Sequence, residues 1–126
     1  MPRLVRDLMT IGVPVCRDTE ACGAVAARLA AARPPAEAVV ALDEAGMACG
    51  WATAAALSAA PPWQPVSEVL EEDIPQVPPD IPAAAAARMM RDRGVAYAFL
   101  MHAWPGEPRP SAMIALKTIE ASPETL

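Results

Sequence analysis

The chain has 126 residues, enough for one compact domain or one fused pair of small ones. Its net charge is −5, Lys117 is the only lysine and the arginines are scattered among acids, so there is no clustered basic face of the kind nucleic acid requires. Hydrophobic content is 54%, but alanine inflates it, and the longest uncharged stretch (45–63) is largely Ala, Gly, Thr and Ser and ends in a double proline, which argues against a membrane span.

In chain order, a short helical turn is predicted over Arg3–Met9, and an extended piece over Val13–Cys16. Asp18 or Thr19 is placed to cap a helix running to about Ala32, with Cys22, Val25, Ala26 and Leu29 at 3–4 spacing on one face. Pro34-Pro35 ends it. Ala38–Leu42 is a continuous apolar run, which suits a strand buried on both faces. Asp43–Gly46 reads as a turn, Met47–Thr53 as the return strand and Ala54–Ala60 as a short helix. Pro61–Pro65 is a linker. Val66–Leu70 then repeats the opening, and Val77 and Asp80 stand as Val15 and Asp18 do. A helix over Pro82–Asp92 follows, with Gly94 placed to cap its end. Strands are predicted over Tyr97–Met101 and Ala112–Leu116, joined by an irregular loop, His102–Ser111. A last helical turn covers Lys117–Ala121, followed by a loose tail.

The order strand, helix, strand, strand, helix thus occurs twice. A half of this size buries too little surface to be comfortably stable alone, so the two are expected to pack on each other, with function at the seam. The expected boundaries are 1–60 for the first unit, 61–65 for the linker, 66–121 for the second unit and 122–126 for the tail.

This arrangement resembles a tandem pair of cystathionine-β-synthase (CBS) domains, over roughly Leu4–Glu120. The resemblance is carried by Val5-Arg6-Asp7-Leu8-Met9-Thr10, Asp18-Thr19, Leu42–Gly46 and Gly50–Thr53 in the first half. In the second half it is carried by Val66–Leu70, Asp80-Ile81-Pro82, Ala86–Met90, Gly94-Val95, Met113-Ile114 and Ile119-Glu120. It implies an α+β fold of two βαββα units about a pseudo-twofold axis, with sheets packed together and two clefts between them. It also implies a regulatory, non-catalytic role, dimerisation through helices, and adenosine-containing ligands in the clefts. The cleft positions it implies here are Thr10, Val13, Val39, Thr53, Ala56, Ala96, Met113 and Thr118.

The chain departs from the family pattern where the ligand would be held. The family places an Asp three residues after a Thr or Ser, to accept ribose hydroxyls. The first half keeps Thr53 but has Ala56, and the second has Ala115 and Thr118. Thr118 offers one weaker bond. Near the second strand, where the family often carries a group reaching for phosphate, stand Glu37 and Ala96. The family's proline in that strand is replaced by Val40 and Phe99.

Other residues have plainer readings. Cys16, Cys22 and Cys49 are odd in number and lack metal-ligand spacing, which suits reduced thiols in a cytoplasmic protein with no signal peptide and no metal. His102, the only histidine, could pair with Cys16 or Cys49 as a nucleophile, but no acid–base constellation accompanies it. Glu71-Glu72-Asp73 reads as a solvated run rather than a cation site, and Asp7 and Asp18 as caps rather than ligands. Met89, Met90, Met101 and Met113 suit core or dimer packing. Trp51 is expected in the core, and Trp63 and Trp104 over an edge. The expectation is a cofactor-free regulatory module. It forms a homodimer, binds an adenosine-type ligand weakly, and regulates a partner protein. The alternative is a ligand-free dimerisation scaffold on the same fold.

Overall fold

A computed structural model describes residues 3–104 and 107–122. They form five helices, α1 (Val5–Leu8), α2 (Cys22–Ala31), α3 (Ala54–Ala59), α4 (Ala83–Arg93) and α5 (Leu116–Glu120). Six strands accompany them: β1 (Thr10–Ile11), β2 (Val15–Arg17), β3 (Ala38–Leu42), β4 (Ala48–Thr53), β5 (Tyr97–Trp104) and β6 (Glu107–Ala115). The strands make two three-stranded sheets, ordered β2-β3-β4 and β1-β6-β5. The fold is α+β, built on two βαββα repeats, as the sequence implies.

The chain divides into two compact units. One gathers the described parts of Val13–Ile74 and Trp104–Arg109, the other the described parts of Met1–Gly12, Pro75–Ala103 and Pro110–Leu126. These units do not coincide with 1–60 and 66–121. The opening segment of each repeat closes the unit built on the other. Val5 and Arg6 N–H groups donate to the Ile81 and Pro79 carbonyls at 3.0 Å each. In the other unit Val66 and Ser67 donate to Glu20 and Asp18, at 2.8 and 2.9 Å.

In the first-repeat unit β2 pairs in parallel with β3, and β3 antiparallel with β4. One strand face, with Cys16, Val39, Ala41 and Ala52, joins Cys22, Val25, Leu29 and Leu57 of α2 and α3 in a buried core with Val66. The helical 3–4 spacing and the strand alternation meet on one side. In the second-repeat unit Ala98, Leu100, Ala112 and Ile114 play the same part with Ala83, Ala86, Ala87 and Met90 of α4, Ile119 of α5, and Val5 and Val77. Val40, Trp51 and Phe99, on the alternate strand positions, are also buried.

Helix starts differ from expectation. Neither Asp18 nor Thr19 caps α2; its N-cap is Ala21, with no side-chain bond. The Gln64 and Pro62 carbonyls accept from Cys22 and Gly23 N–H at 2.8 and 3.0 Å instead. Linker backbone thus satisfies donors that a cap would have served. Pro62 lies so close that a Cβ at Gly23 would stand 2.7 Å from its own Cβ. Asp7 does serve α1, accepting the Leu4 N–H at 2.9 Å. Gly94 ends α4 at φ +68°, as its position predicts. The irregular loop expected over His102–Ser111 is largely strand, because β5 and β6 run on to Trp104 and back from Glu107.

Candidate functional site

The two repeats can be matched residue by residue through their backbone bonds. Val40 N–H donates to Pro14 O and Phe99 N–H to Pro75 O, at 3.1 and 2.8 Å. Cys22 N–H reaches Gln64 O and Ala83 N–H reaches Arg3 O, at 2.8 and 2.7 Å. Ala54 N–H reaches Glu37 O and Leu116 N–H reaches Ala96 O, at 2.8 Å each. These pairs make Glu37 equivalent to Ala96, Thr53 to Ala115 and Ala56 to Thr118. They also move one match. Cys16, not Val15, is equivalent to Val77, and both are buried.

In the first-repeat unit Thr53 is the N-cap of α3, and its hydroxyl oxygen accepts the Ala56 N–H at 3.0 Å. The same oxygen is therefore engaged by its own helix. Ala56 is exposed, and Glu37 is half-buried where β3 begins. Val39 is fully buried in the core beneath α2 and α3, so its side chain lines no open surface. Val13 is half-buried ahead of β2.

In the second-repeat unit Thr10 and Met113 are direct cross-strand partners of β1 and β6. Directly opposed residues share a sheet face. Here it is the face away from the core, since the neighbours Ala112 and Ile114 point inward. Thr10 and Thr118 are exposed and Met113 is half-buried. Ala96 is exposed, and its carbonyl accepts the first N–H of α5. Each set of candidates thus falls by one end of a sheet and the helix after it. The bridge between Trp51 and Glu71 adds a residue that sequence reasoning missed. It is the first-repeat counterpart of Thr10 opposite Met113, so Glu71 corresponds to Thr10. The signal was available, because Val66–Leu70 repeats the opening and Glu71 follows it as Thr10 follows Met9.

A separate open hollow of about 600 Å³ lies at the opposite end of β3, lined by Arg17, Asp18, Thr19, Asp43, Glu44 and Ala45. None of the candidates lines it. The Asp43 carboxylate accepts the Ala45 and Met47 N–H groups at 2.9 and 3.0 Å, which commits it to its own turn.

The thiols are poorly suited to attack. Burial, then the nearby Glu20 carboxylate, pushes Cys16 up from its ordinary 9.0 to about 11. Burial raises Cys22 and Cys49 as well. The side chains of His102 and Trp104 lie outside the described residues. Among the described residues no group of three or more His, Cys, Asp or Glu could hold a metal, and no helix is long and apolar enough to cross a membrane. Trp51 is buried as expected, with its indole N–H donating to Asp73 O at 3.2 Å. Trp63, expected over an edge, is 76% exposed.

No protein-family model matches the sequence, and no curated protein matches it. Solved structures do match. The CBS domain pair of protein MJ0100, solved with 5′-methylthioadenosine and S-adenosyl-L-methionine, is similar at a TM-score of 0.79 and 15% identity, over 95% of this chain and 94% of that one. A putative acetoin utilization protein (AcuB) from Vibrio cholerae matches at 0.71 and 16%, over 95% and 89%. The cytosolic domain of the Mg2+ channel MgtE, solved with ATP, matches at 0.72 and 22%, over 90% of this chain and 46% of that one. Two βαββα repeats in the expected order, two three-stranded sheets and these similarities identify the fold as that of a tandem CBS domain pair.

Proposed function

We propose that the protein is a non-catalytic regulatory module of the reducing cytoplasm. It senses a small adenosine-type ligand and passes the signal to a partner protein. The observation that carries this reading is the similarity, over nearly its whole length, to a domain pair solved with 5′-methylthioadenosine and S-adenosyl-L-methionine. The candidate positions are Thr10, Ala96, Met113 and Thr118 on one unit, and Val13, Thr53 and Ala56 on the other. With no ribose carboxylate at Ala56 or Thr118, binding rests on apolar contact with the base and is weak. Losing one charge-assisted hydrogen bond costs about 1.5–3 kcal/mol. A thermal-shift panel of adenosine, 5′-methylthioadenosine, S-adenosylmethionine, AMP and ATP tests the reading, because a ligand that binds only the native state raises Tm by mass action. At least one compound raises Tm at millimolar concentration under this reading; a flat panel rejects it.

The missing carboxylates favour a second reading, a dimerisation scaffold with no ligand. Both readings include a homodimer formed through α2 and α4. Their outer faces present Ala24, Ala27, Ala30 and Ala31, and Ala84 with Met89, which allow close approach. Light scattering at twice 13.2 kDa supports the dimer, and the monomer mass at micromolar concentration rejects it.

A further inference from the structure

We propose that the Glu20–Arg28 ion pair is a clasp that closes the free edge of β2 against strand addition by a second copy of this chain. The clasp operates whether or not a ligand is bound. β2 is the outer strand of its sheet, with β3 on one side. Val40 N–H donates to Pro14 O and Asp18 N–H to Leu42 O, at 3.1 and 3.0 Å, so these alternate residues turn their backbone groups toward β3. Val15 and Arg17, lying between, turn theirs outward. An outward row of donors and acceptors is a template on which another strand can build.

Here the row is occupied from within the chain. The Glu20 carboxylate accepts the Arg17 N–H at 2.7 Å. Arg28, on α2, donates to the Val15 carbonyl at 3.1 Å and to the two Glu20 oxygens at 2.8 and 3.3 Å. The Glu20 N–H donates to the Arg17 carbonyl at 3.1 Å. The bond from Arg28, then that from Arg17, hold the Glu20 carboxyl below its ordinary value of 4.5. The second repeat offers an internal comparison. The backbone bonds that match Pro14 with Pro75 and Cys22 with Ala83 also match Val15 with Gln76, Arg17 with Pro78, Glu20 with Ile81 and Arg28 with Met89. Val15–Arg17 and Gln76–Pro78 show the same order of exposed, buried and exposed residues. Pro78 has no N–H to offer a further strand, and apolar Ile81 and Met89 stand in place of the ion pair. The clasp thus sits on the repeat whose edge keeps its donor. The occupant it excludes is a second β2. Paired antiparallel about a twofold axis, Val15 of one copy faces Arg17 of the other, and each N–H finds a carbonyl.

The test follows mass by light scattering across concentration for the intact wild type, Glu20→Ala, and Glu20→Ala combined with Arg17→Pro, which copies Pro78. Glu20 precedes α2, so the outer face of that helix is unchanged. The Arg28 and Glu20 side chains are 49% and 31% exposed, so losing either leaves the core closed. Glu20→Ala is expected to approach about twice the wild-type mass as concentration rises, and adding Arg17→Pro to restore the wild-type mass. Amide exchange locates the contact: the Val15 and Arg17 N–H groups of Glu20→Ala are slowed in the associated form and fast in the dilute one. Arg28→Gln, which frees the Val15 carbonyl, is expected to associate in the same way. A cooperative thermal transition shows that each variant is folded. Either single variant, folded and keeping the wild-type mass at every concentration, overturns the proposal. Association that survives Arg17→Pro overturns it too, because a surface other than the β2 edge then carries it.

Discussion

The Ala56 N–H points at the Thr53 hydroxyl, while the Ala56 side chain stands exposed beside it. A carboxylate placed there has room to accept the two hydroxyls of a ribose. Ala56→Asp is therefore expected to tighten adenosine binding about tenfold, measured by calorimetry; an unchanged affinity shows that the ribose lies elsewhere. Cys16 gives the folded state a pH-dependent stability. Its thiol is raised to about 11 by burial, so the folded state holds the proton that the unfolded state releases above 9.0. The stabilisation is fully present below pH 9.0 and is lost as pH rises toward 11. Urea midpoints measured across that range should fall more steeply for the wild type than for Cys16→Ala, and parallel slopes count against it.

At the scale of elements, the opening segment of each repeat docks in the unit built on the other repeat. Apolar periodicity and proline punctuation located α2, β3, β4, α4 and the Gly94 cap, because each of those signals is local. Exchange of the openings is not local. Nothing in Val5–Met9 says whether it docks near Asp18 or near Pro79, and the hydrogen bonds go to Pro79 and Ile81. The same exchange explains why Asp18 and Thr19 look like caps yet are not, since the linker arrives to take the α2 donors. It also explains why Glu71 reads in the sequence as part of a solvated run, although its backbone bridges β4. The alignment at Thr53, Ala56, Glu37 and Ala96 was legible, because the turn at Gly46 and the cap at Gly94 anchor it. The contact between the segment and β4 is tight: a Cβ at Gly50 would stand 2.9 Å from the Glu71 carbonyl oxygen. Gly50→Ala must push that backbone away and is expected to cost about 1–3 kcal/mol in denaturant unfolding. A cost below a few tenths would show that the segment is loosely held.

For the molecule as a whole, the exchange ties the two repeats into one folding problem. A fragment ending at residue 60 keeps α2, β3 and β4 but lacks the carbonyls that meet Cys22 and Gly23, the Val66 side chain in its core and the Glu71 bridge. That fragment is expected to show no cooperative thermal transition by circular dichroism, and a sharp one would show that the exchange is dispensable. If a chain with the CBS-pair fold and no ribose carboxylate at Ala56 or Thr118 binds adenosine, isothermal titration of the intact protein with adenosine shows saturable binding with a Kd weaker than about 100 μM. No heat up to millimolar concentration, or a Kd in the low micromolar range, would contradict such weak binding.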